Sequence, residues 1–198
     1  MNYLAHIFLS GDDEELLLGN FIADAVKGKQ LERYPTGIAR GIKLHRLIDT
    51  YTDTHPVVSE TKARLRPHFR KYAPVVADLY FDHFLANRFG EFSLESLEAY
   101  TSRVYTLINS HLPNLPERVQ YFFPYMMRQN WLLSYAEVSG IAQALGGLSR
   151  RTSFESGMER AGEELLENYT LYDADFSLFF PELIAYVEEV LPELRKVV

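Results

Sequence analysis

The chain contains no cysteine. That absence excludes disulfide staples, thiolate zinc sites and cysteine nucleophiles together. No apolar run approaches the roughly 18 residues needed to span a bilayer. The opening stretch MNYLAHIFLSGDDEE has neither a basic leader nor a small-residue cleavage site. A cytoplasmic protein without membrane contact is therefore expected. Strand signals are nearly missing, because no hairpin dipeptide sits between alternating apolar runs and β-branched clusters are rare. No Gly/Ser-rich linker or repeat divides the sequence, so one domain over 1–198 is expected. Gly146-Gly147 has no strand before it and does not form a dinucleotide fingerprint, and no Ser-His-Asp nucleophile turn is visible.

What is present is an ordinary globular balance: 47% hydrophobic and 24% charged residues, enough for a packed core. The net charge of −7 speaks against nonspecific nucleic-acid binding. That average hides an asymmetry. Residues 25–75 hold eleven Lys/Arg against four Asp/Glu, whereas residues 155–198 hold three against eleven. The basic block fits either a solvated helix face or a surface for an acidic partner.

Apolar spacing of three and four predicts helices almost throughout. ELLLGNFIADAV is one, stopped by Gly28. Pro35 opens TGIARGIKLHRLIDTYTD, which ends before His55-Pro56. Pro56 starts a basic helix broken near Pro67, and Pro74 starts VVADLYFDHFLANRF, closed by Gly90. Ser93 is expected to cap LESLEAYTSRVYTLINSHL, and Pro124 to kink or divide the helix after Pro116. Ser153 is expected to cap the next helix, and Pro181 to open the last. The fold class is all-α, with seven to eight helices in one compact domain.

Four of these helices carry polar residues on apolar faces. His6 in NYLAHIFL reads first as a hydrogen-bonded core residue. Asn20 and Asp24 lie four apart in GNFIAD, and a buried aspartate costs several kcal/mol unless it is paired or holds a metal. In LHRLIDTYTDTHP, His45, Arg46 and Asp49 project to one side, with Thr52 and Asp53 continuing it. An Arg46–Asp49 helix pair, worth about 0.3–0.5 kcal/mol, leaves His45 between two leucines unexplained. Asp82-His83 sits within LYFDHFLA; the two side chains diverge by about 100° yet can reach one ion off the helix edge. Adjacent His and Asp, with another of each on separate helices, is the ligand pattern of His-Asp phosphohydrolases, and suits Mn²⁺ or Mg²⁺. A buried ion-pair network is the competing reading. His55, ahead of Pro56, suits helix capping or substrate contact equally. His68 and His111 read as surface residues, and Trp131, Tyr125, Phe122 and Phe123 as core.

MNYLAH, LLLGNFIAD, YPTGIARGIKLHRLIDTYTDTHPVV, DLYFDHFLA, MMRQNWLLSY, GIAQALGGLSRR and DFSLFFPELIAYVEE follow one another in an order that resembles the acyl carrier protein phosphodiesterases. GIxLHRxID followed by TDxHP carries most of the specificity. The resemblance implies a helical fold related to the His-Asp phosphohydrolases with altered connectivity. It also implies removal of 4′-phosphopantetheine from holo-acyl carrier protein, usually with Mn²⁺, in the setting of fatty acid biosynthesis. By motif, Asp24, His45, Asp82 and His83 become the metal candidates, while Arg46, Asp49, His6 and Asn20 become substrate or supporting residues. Asp49 is also a candidate ligand.

In the mechanism this suggests, Arg46 neutralises phosphoryl charge, Asp49 holds Arg46 or a water, and His6 or His55 protonates the leaving group. An acidic carrier protein would dock on Lys62, Arg64, Arg66, Arg70 and Lys71, with Lys27, Lys29 and Lys43. Two other classes fit parts of the pattern. A phosphohydrolase of nucleotides or small phosphodiesters needs the metal set but no docking patch. A non-catalytic helical interaction module needs neither.

Overall fold

The computed structural model describes residues 2–196. Met1 of the MNYLAH motif and residues 197–198 of the expected domain lie outside the described residues. Eleven α-helices and six short 3₁₀ turns make up the architecture, and no strand occurs among the described residues. The helices are α1 (Tyr3–Phe8), α2 (Glu14–Ile22), α3 (Thr36–Thr54), α4 (Pro56–Phe69), α5 (Ala73–Asn87), α6 (Leu97–His111), α7 (Glu117–Arg128), α8 (Trp131–Ser134), α9 (Val138–Ser149), α10 (Ala161–Glu167) and α11 (Tyr169–Lys196). The count exceeds the expected seven to eight because α1, α8 and α10 are separate short pieces of four to seven residues.

Several expected boundaries move, each for a local reason. Ser96, not Ser93, caps α6: its Oγ accepts from Ala99 N at 3.2 Å, while Ser93 Oγ accepts from Glu95 N in the preceding turn. Ser153 caps nothing, since α10 begins only at Ala161. Pro67 and Pro124 lie inside helices without ending them there. Pro181 does not open a helix either; α11 runs through it. A proline inside a helix forfeits one backbone hydrogen bond. Here Tyr172, Phe176, Phe179, Phe180, Leu183 and Val187 form one buried stripe across that position. Each such side chain contributes about 1.5–3 kcal/mol on burial, which outweighs the missing bond.

The crossing of α2 and α3 decides where the polar residues meet. A Cβ on Gly19 would stand 2.0 Å from Ile38 O, and one on Gly41 would stand 2.2 Å from Leu16 O. Only glycine at both positions lets the two backbones touch. Asn20 follows Gly19 directly, and His45 lies one turn beyond Gly41. The contact therefore brings His45 Nδ1 within 2.9 Å of Asn20 O.

α1 is fastened to α5 differently. Asp82 is fully buried, and its carboxyl accepts from the backbone N–H groups of Asn2 at 3.2 Å, Leu4 at 2.8 Å and Ala5 at 3.3 Å. These are first-turn donors that a helix start leaves unpaired. So α5 caps α1, and α1 carries His6.

Candidate active site

His6 from α1, Asn20 from α2, Asp24 from the 3₁₀ turn after α2, and His45 and Asp49 from α3 converge on one cavity of about 240 Å³. The two imidazoles stack, with ring centroids 3.9 Å apart and planes inclined by 18°. His6 Nε2 lies 3.2 Å from Asp49 Oδ1, and His45 Nε2 lies 3.2 Å from Asp49 Oδ2 and 3.4 Å from Asp24 Oδ1.

The hydrogen-bond network fixes which ring nitrogens carry protons. Ser10 Oγ donates to His6 O at 2.9 Å, so its lone pairs face Asn20. Asn20 Nδ2 donates to Ser10 Oγ at 3.0 Å and to His6 O at 2.7 Å. The Asn20 amide oxygen must then be an acceptor, and His6 Nδ1 donates to it at 2.9 Å. His45 Nδ1 donates to Asn20 O at 2.9 Å, with Oδ1 at 3.1 Å. With both Nδ1–H groups occupied, both Nε2 atoms lie 3.2 Å from oxygens of Asp49. His6 Nε2 is buried and makes no directed hydrogen bond. Two imidazole lone pairs facing a carboxylate form a site for positive charge, and one ligand atom each from His6, His45 and Asp49 lie within 4.8 Å of one another.

In the chain by itself a proton on His45 supplies that positive charge, while His6 stays neutral. Burial pushes His6 down to about 4, with the neighbouring His45 adding to the effect. For His45, burial works against the charged ring, but contact with the Asp24 and Asp49 carboxylates wins and holds it up at about 9. Asp49 is kept well below the usual carboxylate range by the two histidines, against burial. Asp24 is lowered by its contact with His45. Asp53 and Asp78 also line the cavity, giving four carboxylates and no lysine or arginine on its wall. Neither Asp78 nor the half-exposed wall residue Tyr3 stood out in the sequence; Asp78 is one helical turn before Asp82, a spacing that marks a shared face.

The family-model match to acyl carrier protein phosphodiesterase spans residues 1–183. The chain belongs to the acyl carrier protein phosphodiesterase family. Proteins of that name from Photorhabdus laumondii, Serratia proteamaculans and Yersinia pestis are 34%, 32% and 32% identical to it. These alignments cover 95%, 96% and 93% of this chain, and 96%, 98% and 96% of the respective relatives. No solved structure matches.

Within this family member the remaining expected site residues go elsewhere. Asp82 is consumed as the cap of α1. His83 is 1% exposed; its Nδ1 donates to Tyr135 O at 2.8 Å and its Nε2 accepts from Tyr169 OH at 3.0 Å. Neither lines the cavity, so the expected set of Asp24, His45, Asp82 and His83 is not brought together, and His6 and Asp49 stand where Asp82 and His83 were expected. Arg46 also turns away: Nη2 donates to Val26 O at 3.2 Å and Gly28 O at 3.1 Å, bracing the segment that follows Asp24. His55 packs on Phe179 and pairs with Glu182 Oε2 at 3.0 Å, facing α11 rather than the cavity.

The expected docking patch divides as well. Lys62 is 8% exposed and holds Asp53 Oδ1 at 2.6 Å, and Arg64 is clamped on the buried Asp175. Arg66, Arg70 and Lys71 remain exposed, Lys71 lying 4.8 Å over the Phe154 ring. No helix among the described residues is long and apolar enough to cross a membrane.

Proposed function

We propose that this chain hydrolyses the phosphodiester joining 4′-phosphopantetheine to a serine of acyl carrier protein. The reading includes a divalent cation, Mn²⁺ in preference to Mg²⁺, held by His6, His45 and Asp49 with Asp24 beside them. One observation carries it: two buried imidazoles with fixed Nδ1–H donors leave both Nε2 atoms 3.2 Å from the one Asp49 carboxylate they share. Mixed imidazole and carboxylate donors suit such ions, and a hydrogen bond from the far ring nitrogen is the usual support of a metal-binding histidine. The wall chemistry supports the same reading, since four carboxylates without a lysine or arginine outweigh the one charged ring at His45 and repel a phosphodiester unless positive charge is added.

When bound, such a cation polarises phosphoryl oxygens and lowers the pKa of water. The chain's own contributions follow from the geometry. Asn20 holds both imidazoles in one tautomer and orientation. Asp49 spans the two rings. Asp24 lines the cavity with 67% of its side chain exposed, and its lowered pKa keeps it ionised to orient the attacking water and accept its proton. The water oxygen forms the new bond to phosphorus as the bond to the serine oxygen breaks. The proton taken from the water, returned through Asp24 or solvent, restores the serine hydroxyl at that oxygen.

The test is intact-mass analysis of holo-carrier protein incubated with the purified chain and Mn²⁺, with and without chelator. Loss of the prosthetic group only without chelator is expected. Hydrolysis of small phosphodiesters with the carrier protein left intact would overturn the proposed substrate.

A further inference from the structure

Thr52 lies on α3 on the same face as His45 and Asp49, and it lines the same cavity. It is 1% exposed, and its Oγ1 is buried without a hydrogen-bond partner. The neighbouring exposed threonines behave otherwise. Thr50 Oγ1 donates to Arg46 O at 2.8 Å, and Thr54 Oγ1 donates to Thr50 O at 2.8 Å. That return bond to the carbonyl four residues back is open to a helical threonine, yet Thr52 does not make it. A buried hydroxyl left unpaired opposes folding, and a valine of the same shape would not. The hydroxyl therefore does nothing for the folded chain by itself.

Its surroundings say what it can serve. The cavity wall offers carboxylates at Asp49 and Asp53, neither of which it bonds, and no lysine or arginine. An anionic oxygen entering this cavity meets few donors. Asn20 has already placed both amide hydrogens on His6 O and Ser10 Oγ. We infer that Thr52 Oγ1 donates to a non-bridging oxygen of the bound phosphodiester, beside the His6, His45 and Asp49 cluster. This deepens the proposed function and rests on it for the identity of the diester, but the recognised chemistry is a phosphoryl oxygen whichever alcohol it carries.

The experiment compares Thr52→Val and Thr52→Ser with the wild type, using orthophosphate in the presence of Mn²⁺ as the probe. Thr52→Val should weaken orthophosphate by about tenfold or more, the loss of one charge-assisted hydrogen bond. Its melting temperature should be unchanged or higher, and its Mn²⁺ affinity unchanged. Thr52→Ser, which restores a hydroxyl, should bind orthophosphate as the wild type does. Should valine crowd the helix, Thr52→Ala gives the same phosphate reading. Unchanged orthophosphate affinity in the hydroxyl-free variants would overturn the inference, and so would an equal loss of Mn²⁺ affinity or no orthophosphate binding by the wild type. Hydrolysis of holo-carrier protein is scored separately. If it fails while the orthophosphate result holds, the substrate is wrong and Thr52 keeps its role.

Discussion

Two acid–histidine groups stand in this molecule, and they use the same residue types to opposite ends. Asp82 and His83 are buried, and each is spent: three backbone N–H groups on one, a carbonyl and a phenol on the other. His6, His45 and Asp49 are buried or half-buried with capacity left over, including a ring nitrogen that makes no directed hydrogen bond. Residue type and spacing mark both as ligand sets. The hydrogen bonds still unmade tell them apart. A site for an external group must keep donors or acceptors that the fold does not consume, whereas a structural pair consumes them all.

The sharpest way to break that contrast is to neutralise one member of each group. Asp49→Asn, isosteric and uncharged, should lower turnover on the order of 1000-fold and release Mn²⁺ in metal analysis, with an unchanged circular dichroism spectrum. His83→Ala should leave turnover per folded molecule within about threefold and lower the unfolding free energy by roughly 2–3 kcal/mol, because it orphans the Tyr135 carbonyl in the core. If His83→Ala lost activity as Asp49→Asn does while staying folded, the division between the two groups would be wrong.

Asn20 sharpens it next. Asn20→Ala removes the acceptor that fixes both tautomers, so Mn²⁺ affinity should fall about 10- to 100-fold by isothermal titration. The carrier of the effect is orientation, since both imidazoles and Asp49 remain.

This comparison also shows how far the sequence could be read. The helical periodicity gave the all-α class because burial of one face repeats with the helix itself, and the apolar stripe of α11 shows it. Pro181 misled, because the expected break yields to the packing of that stripe on both sides. The α3 constellation of His45 and Asp49 was legible from a four-residue spacing within one helix. Ligation by Asp82 and His83 was not decidable there, because their partners are backbone groups of α1 and the α8–α9 region and the Tyr169 phenol of α11, set by tertiary contact alone. Gly19 and Gly41 hold the α2–α3 contact that brings Asn20 to His45, and nothing in their local sequence names the partner helix.

A smaller effect separates Asp82 from a ligand by its pH signature. Burial pushes its carboxyl up to about 7, against the three N–H donors that pull it down. A folded-state pKa raised above the ordinary 3.8 contributes stability that is full below that value and is lost as pH rises through about 7. Thermal stability should therefore fall between about pH 4 and about pH 7 in the wild type and less so in Asp82→Asn, which keeps an acceptor but does not ionise. Equal slopes in the two proteins would show that Asp82 is ionised throughout.

The smallest expected effect concerns the basic block, where the same distinction between spent and unspent groups applies. Arg64 is consumed by Asp175, whereas Arg66 and Arg70 are exposed. Complementary surface charge mainly speeds encounter and is screened by salt. Charge reversal by Arg66→Glu with Arg70→Glu should thus lower kcat/KM toward an acidic carrier protein by about three- to tenfold at low salt, with little change at high salt. Turnover of a small phosphodiester should not change, because neither residue lines the cavity. Arg64→Glu should act through stability instead, since it faces Asp175 with a second carboxylate beside the buried Thr61 hydroxyl. A salt-dependent loss from Arg64→Glu without destabilisation would place the docking surface on the paired side of α4, and would show that an ion pair seen in the free protein can be exchanged on binding.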